Sequence, residues 1–245
     1  MTKLNTKKQQ IAVITGASTG IGKAITINLL KKGYFVIMLS RKSKHLNELT
    51  TELKQKALTN YRVIPTDLSN MYSVINATLT IAKQFKHIDL FVHAASQYHN
   101  RTKAFTNIAL ANYQPTEVID TLNITLTTPM LLVQGLIPGM NQNSKIIFIS
   151  GTFEDGAKGW LPYYVAKKGL EDLTVGLSQE LADKGIKVNC ISPSDTLTDS
   201  YKKFFPEYAK PNTCLSTEDI NRWVDILVNP QTGNIINKQI IELKK

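Results

Sequence analysis

The segment from Ile11 to Ile25 constrains this chain more than any other. A short apolar run, Ile11-Ala12-Val13-Ile14, has the length and character of a buried strand. Thr15-Gly16-Ala17-Ser18-Thr19-Gly20-Ile21-Gly22 follows, and then Ala24, Ile25, Leu29 and Leu30 recur at helical spacing. Glycines at 16, 20 and 22 let the backbone turn sharply, approach a ligand closely and pack a helix against the preceding strand. A helix starting there presents unpaired N–H groups and a positive dipole end, which suits a pyrophosphate. The spacing is Gly-x-x-x-Gly-x-Gly, not Gly-x-Gly-x-x-Gly. A plain strand-to-helix turn is the competing reading; the strand before and the helix after favour a dinucleotide site.

The rest of the chain repeats the alternation of apolar runs and amphipathic stretches with short connections, which predicts a parallel sheet covered on both faces. Further strands are expected at Tyr34–Leu39, Tyr61–Ile64, Asp89–Val92, Lys145–Ile149, Ile186–Ile191 and Gln239–Leu243. Helices are expected at Tyr72–Phe85, Asn112–Met140 with an interruption near Pro129, Pro162–Lys184 and Thr217–Val228. Another is centred on Leu46, Leu49 and Leu53. Pro193 to Ser216 is read as a long connection rich in aromatic residues, of the sort that forms lids. The fold class is therefore α/β: a single domain with a parallel sheet of seven strands and helices on both faces. Residues 1–10 form a basic lead-in and 11–245 the one domain.

Composition excludes several classes. No run approaches the roughly 18 apolar residues that cross a bilayer. The polar lead-in has no apolar segment of a secretory signal, so a cytoplasmic protein with two free thiols, Cys190 and Cys214, is expected. Net charge is +10, but the lysines are scattered in short pairs and no basic face carries interleaved aromatics. Nucleic acid is not the expected partner; a positive field drawing in a phosphorylated cofactor or an acidic carrier is the simpler account. No metal site is expected.

Five residues can carry chemistry. Arg41, just past the second strand, is where an arginine would favour the 2′-phosphate of NADP over the 2′-hydroxyl of NAD, with Lys42 and Lys44 adding charge; a solvated basic turn is the alternative. Asp67 could accept from an adenine amino group or cap the next helix. Tyr163 and Lys167, four apart, share a helix face, where an ammonium would lower the phenol pKa. Such a tyrosine serves as a general acid or base. Ser150 ends the fifth strand, where sheet geometry points into the ligand crevice.

Together these pieces resemble the short-chain dehydrogenase/reductase family, including its 3-oxoacyl-carrier-protein reductases. The matching stretches are Thr15-Gly16-x-x-x-Gly20-Ile21-Gly22, Asp67-Leu68, Ser150, Tyr163-x-x-x-Lys167 and Val188-Asn189-x-x-Ser192-Pro193 with Thr198-Asp199, spanning nearly the whole chain. The resemblance implies a single-domain, Rossmann-like, doubly wound sheet of seven strands, and hydride transfer between NADP(H), preferred over NAD(H), and a carbonyl or alcohol. Tyr163 would be the acid or base, Lys167 would bond the nicotinamide ribose, Ser150 would position the substrate oxygen, and Asn123 would complete the set. The cofactor wall would comprise Gly16, Ser18, Thr19, Gly20, Ile21, Gly22, Ser40, Arg41, Asp67, Leu68, Ala94, Ala95, Tyr163, Lys167, Pro193, Ser194, Thr196 and Thr198, with Ile191 beside the nicotinamide. A homodimer or homotetramer built on the 112–140 and 162–184 helices is also implied.

The chain departs from the family in four places. Asn-Asn-Ala-Gly becomes His93-Ala94-Ala95-Ser96, and Pro-Gly becomes Pro193-Ser194. Counting back from Pro129 puts Thr125 in the asparagine position in place of Asn123. Counting back from Tyr163 selects Ser150, whereas aligning the strand puts Gly151 in the serine position with Thr152 as a substitute. Tyr164 and Lys168 form a second Tyr-x-x-x-Lys pair. The expected substrate is a small carbonyl compound or an acyl thioester; a dinucleotide-binding regulator without turnover is the rival.

Overall fold

The first strand, β1 (Ile11–Thr15), is buried along its whole length, as an apolar run needs to be when strands flank it on both sides. The computed structural model describes residues 9–100, 102–153 and 156–245, so all but the last two residues of the basic lead-in lie outside the described residues. Seven parallel strands follow the order β3-β2-β1-β4-β5-β6-β7. The others are β2 (Phe35–Ser40), β3 (Tyr61–Pro65), β4 (Ile88–His93), β5 (Met140–Ile149), β6 (Lys187–Pro193) and β7 (Ile240–Leu243). β1 pairs with β2 on one side and β4 on the other, so the chain reverses its direction of winding at β1. Ligands of doubly wound sheets bind at such a switch point, beyond the C-terminal strand ends.

Side chains alternate across each strand, and two cores result. Ala12, Ile14, Val36, Met38, Val92 and Ile147 pack beneath helices α1 (Gly20–Lys31), α2 (Lys44–Gln55) and α8 (Thr217–Val228). Val13, Ile37, Phe91, Ile146, Phe148 and Val188 pack beneath α3 (Met71–Gln84), α5 (Thr128–Leu136) and α6 (Leu161–Glu180). Cys190 and Cys214 are both free and buried. Among the described residues no helix is long and apolar enough to cross a membrane.

Three expectations need correction. The 112–140 stretch is not one helix broken at Pro129: α4 (Pro115–Leu122) passes into a π turn at Asn123–Thr127 before α5 begins. Pro129 has no N–H to give and sits early in α5, where none is needed. The 193–216 connection contains a short helix, α7 (Asp199–Phe204), begun by the Thr198 hydroxyl accepting from Tyr201 N at 3.2 Å. Asp67 does not cap α3. Asn70 does so by accepting from Ser73 N, while Asp67 Oδ1 accepts from the Ser69 backbone and hydroxyl at 3.1 and 2.9 Å.

Candidate active site

The glycine turn is defined by what would not fit in it. A Cβ on Gly22 would lie 2.2 Å from the Gly16 carbonyl oxygen, and one on Gly16, where φ is +64°, would lie 2.9 Å from Ala95 N. The turn is therefore closed over the end of β4 by backbone against backbone. Thr15 Oγ1 fixes this junction by accepting from Ala94 N and Ala95 N at 3.2 and 3.3 Å. The Ser18 and Ser40 hydroxyls, 3.0 Å apart, tie the turn to the end of β2, where Arg41 stands exposed. The Thr198 methyl comes within 3.2 Å of a Cβ built on Gly20, so the segment after β6 leans onto the turn. That segment is anchored by Ser194 N donating to Leu243 O and by Thr196 Oγ1 donating to Ser194 O. The Ser194 hydroxyl is buried with no protein partner. A side-chain-free cradle, an arginine past β2 and an orphaned hydroxyl beyond β6 fit a bound dinucleotide phosphate. Leu68 contributes its carbonyl to Thr128 Oγ1 at 2.7 Å. A depression of about 630 Å³ between α2 and β3, lined by Lys42, Ser43, Leu46, Val63 and Pro65 among others, lies outside this constellation.

Across β4 stands α6, which presents Tyr163 and Lys167 on one face. Lys167 is buried and its Nζ lies 5.4 Å from the Tyr163 ring centre, donating to Ile149 O at 2.7 Å. Burial pushes the Lys167 pKa down to about 8, with Cys190 and Glu171 opposing. The expected lowering of the Tyr163 pKa does not occur. Burial raises it, against a hydrogen bond from Ser96, and Tyr98 and Asp195 add to the rise. The ammonium sits over the ring rather than at the hydroxyl, so desolvation of the phenolate wins. The phenol is held in its protonated form.

The structure places the remaining candidates as follows. The Ser150 hydroxyl turns into α6, donating to Lys167 O at 3.0 Å and to Glu171 Oε1 at 2.8 Å. Glu171 also accepts from Ser192 at 3.1 Å and Lys168 at 2.8 Å. Ser150 thus joins β5, β6 and α6 and is not brought to the phenol, and Gly151 follows it. Thr152 Oγ1 is buried without a partner, and its N–H donates to Pro193 O at 3.0 Å. Asn123 starts the π turn, half-buried. Thr125 is the residue brought against the end of β4: it is fully buried, and its hydroxyl accepts from Gln97 N at 3.3 Å. The second pair, Tyr164 and Lys168, faces Phe153 and Glu171 instead.

Two residues in the His93–Ser96 segment were missed as site members. Ser96 is the hydroxyl that reaches Tyr163; it occupies the place of a family glycine, and that exchange was its only signal. His93 is fully buried, with Nδ1 2.9 Å from Thr15 Oγ1. Its Nε2 has no hydrogen-bond partner and faces the backbone of Ile124 and Thr125 in the π turn. Burial, reinforced by the Lys167 charge, pushes the His93 pKa down to about 3, so the ring is neutral.

Aromatic rings from three segments close over Tyr163. The rings of Tyr98, Phe153 and Trp160 lie 5.7, 5.8 and 6.1 Å from that of Tyr163. Phe205 stacks on Tyr98 at 6.5 Å and tilts onto Trp160 at 5.7 Å. Phe204 meets His99 at 4.5 Å, and Tyr201 meets Phe205 at 5.1 Å. Of the aromatic residues in the 193–216 connection, Tyr208 does not take part: it is 66% exposed.

A glycine turn at the sheet's switch point, facing a Tyr-x-x-x-Lys helix across β4, defines an oxidoreductase of the doubly wound class. The short chain dehydrogenase family model matches residues 10–209, and the chain belongs to that family. It is 32% identical over 190 residues to an uncharacterized oxidoreductase of Staphylococcus aureus strain MW2, covering 75% of this chain and 77% of that protein. Identity to the uncharacterized oxidoreductase YmfI of Bacillus subtilis strain 168 is 30% over 199 residues, covering 80% and 78%. Among solved structures, a short chain dehydrogenase from Burkholderia cenocepacia in complex with NADP superposes with a TM-score of 0.82 at 22% identity, covering 96% of each chain. One from Shigella flexneri, also complexed with NADP, gives 0.83 at 20% identity, covering 95% of this chain and 96% of that one.

Proposed function

We propose that this short-chain dehydrogenase/reductase is an NADP(H)-dependent carbonyl reductase acting on a small molecule in the cytoplasm as a homo-oligomer. One observation carries the reading: Tyr163, protonated, stands beside buried Lys167 at the end of β5, across from a turn in which Gly16 and Gly22 leave no room for a Cβ. The bound nicotinamide would supply a hydride to the carbonyl carbon. Gly16 to Gly22 would hold the pyrophosphate, Arg41 the 2′-phosphate, and Ser194 and Thr196 the nicotinamide end. Tyr163 gives its proton to the carbonyl oxygen, which becomes the alcohol hydroxyl, and the phenolate regains a proton from solvent. The buried phenol carries its proton at neutral pH, as a donor to a carbonyl oxygen must. Lys167 offsets the phenolate charge as it forms. Ser96, bonded to the phenol, steadies the carbonyl oxygen, while Ser150 braces α6.

One observation favours a second reading, a dinucleotide-binding regulator without turnover: the Ser150 hydroxyl is committed to Glu171. Fluorescence titration with NADPH and NADH, followed by absorbance assays on ketones and a 3-oxoacyl thioester, separates the two. The reductase reading expects tighter binding of NADPH and turnover that falls about 10²–10⁴-fold in Tyr163→Phe with binding retained. Binding without turnover of any carbonyl supports the regulator. No binding of either nucleotide overturns both.

A further inference from the structure

We infer that the substrate is an uncharged aromatic carbonyl compound, an aryl ketone or aryl aldehyde, received among the rings of Tyr98, Phe153, Trp160 and Phe205 above Tyr163. This rests on the reading of Tyr163 as the proton donor.

The rings arrive from separate places. Tyr98 comes from the loop after β4, Phe153 and Trp160 from the connection between β5 and α6, and Phe205 from the end of α7. Their centroid separations of 5.7–6.5 Å and their tilted, edge-on or stacked attitudes are those in which aromatic quadrupoles attract. Each of the four is half-buried, so each already presents part of its surface to an incoming molecule. A flat ring entering beside Tyr98 exchanges one ring contact for another and recovers the quadrupole term. A saturated group of the same size recovers only the area it buries.

The polar groups at this cleft point the same way. The Tyr98 hydroxyl is engaged by Ser200 and Thr198, and the Tyr201 hydroxyl by Asp195; burial raises both phenol pKa values, so both stay neutral. Burial holds His99 below the usual histidine range, and it too is uncharged. The carboxylate of Asp195 opposes an anionic substrate, the cation Lys167 is committed to Ile149 O, and Lys203 rests over the Phe204 ring, 4.8 Å from its centre.

The test compares acetophenone with cyclohexyl methyl ketone, which share size and carbonyl and differ in the aromaticity of the ring. With NADPH and the full chain, kcat/KM is expected to be at least 10-fold higher for acetophenone. Conjugation makes that ketone intrinsically the less electrophilic, so the preference has to come from the protein. Tyr98→Leu should bring the ratio to within about twofold of unity, whereas Tyr98→Phe, which keeps the ring, should retain it. Should Tyr98→Leu fail to fold, Phe205→Leu replaces it with the same expectation. Equal or better turnover of the cyclohexyl ketone, or of a 3-oxoacyl thioester, overturns the substrate class and leaves the reductase standing. NADPH binding without oxidation by any carbonyl overturns the reductase reading, and this inference with it.

Discussion

The glycine turn and the aromatic cleft lie on opposite sides of β4 and are held by different means. In the turn, backbone touches backbone: a Cβ at 16 would meet Ala95 N, and one at 22 would meet the Gly16 carbonyl. Nothing there can rearrange without moving β1 or β4, both buried throughout their core positions. In the cleft, half-buried rings on three connections meet in tilted, stacked and edge-on contacts. On the roles proposed above, the cofactor side accepts one shape, while the substrate side can be reset by exchanging side chains without disturbing the sheet. The family's common chemistry and its varied substrates are consistent with that division of labour.

The sharpest way to break the comparison is at Gly22. Alanine there has no space, and Gly22→Ala should cost about 3 kcal/mol or more in urea denaturation and abolish nucleotide binding. If it folds with ordinary stability, the turn is softer than its geometry indicates.

His93, beneath the junction of the two regions, gives the next largest effect. Its pKa is about 3 in the fold and about 6.5 in an unfolded chain. Between those values the unfolded state binds more protons, so stability falls as the pH is lowered. From pH 6.5 to 5 the loss attributable to His93 should be about 2 kcal/mol, and His93→Asn should remove it. Carboxylates with lowered pKa values, such as Glu52 and Asp219, lose their contribution only at lower pH. His99 is common to both proteins. Urea curves at several pH values read the difference directly.

Arg41→Ala should weaken NADPH binding about 10-fold and leave NADH nearly unchanged, since one charge-assisted contact to a phosphate is lost. Its reading is a titration with both nucleotides. The smallest effect is at Gly176, in α6, where a Cβ meets nothing within 4 Å. Gly176→Ala should stabilise by about 0.5–1 kcal/mol, the mirror of Gly22.

The rigid region was also the more legible one. Strand, glycine turn and helix are local patterns, and α8 is found at Thr217–Val228 as its periodicity predicts, started by Ser216 and Asp219. The misses share a cause. The π turn at Asn123–Thr127 depends on neighbours, not on its own residues. The direction of the Ser150 hydroxyl is decided by Glu171, 21 positions away. The rings meet only once three connections are in place. Helix α7 could have been found: Thr198-Asp199 is a cap signal, and Tyr201, Phe204 and Phe205 follow at helical spacing.

The position of β1 in the sheet has a consequence for how the protein is made. β1 leaves the ribosome well before β4, yet it completes its pairing only with Leu90 to His93 of that strand. The cradle at Gly16 is closed by Ala94 and Ala95, and Thr198 covers Gly20 only later still. During synthesis an almost wholly apolar strand must wait while about 80 further residues are added, at roughly 5–20 residues per second. For those seconds the strand is an exposed hydrophobic liability. A growing chain halted before residue 94 has the glycines but not the backbone that closes over Gly16.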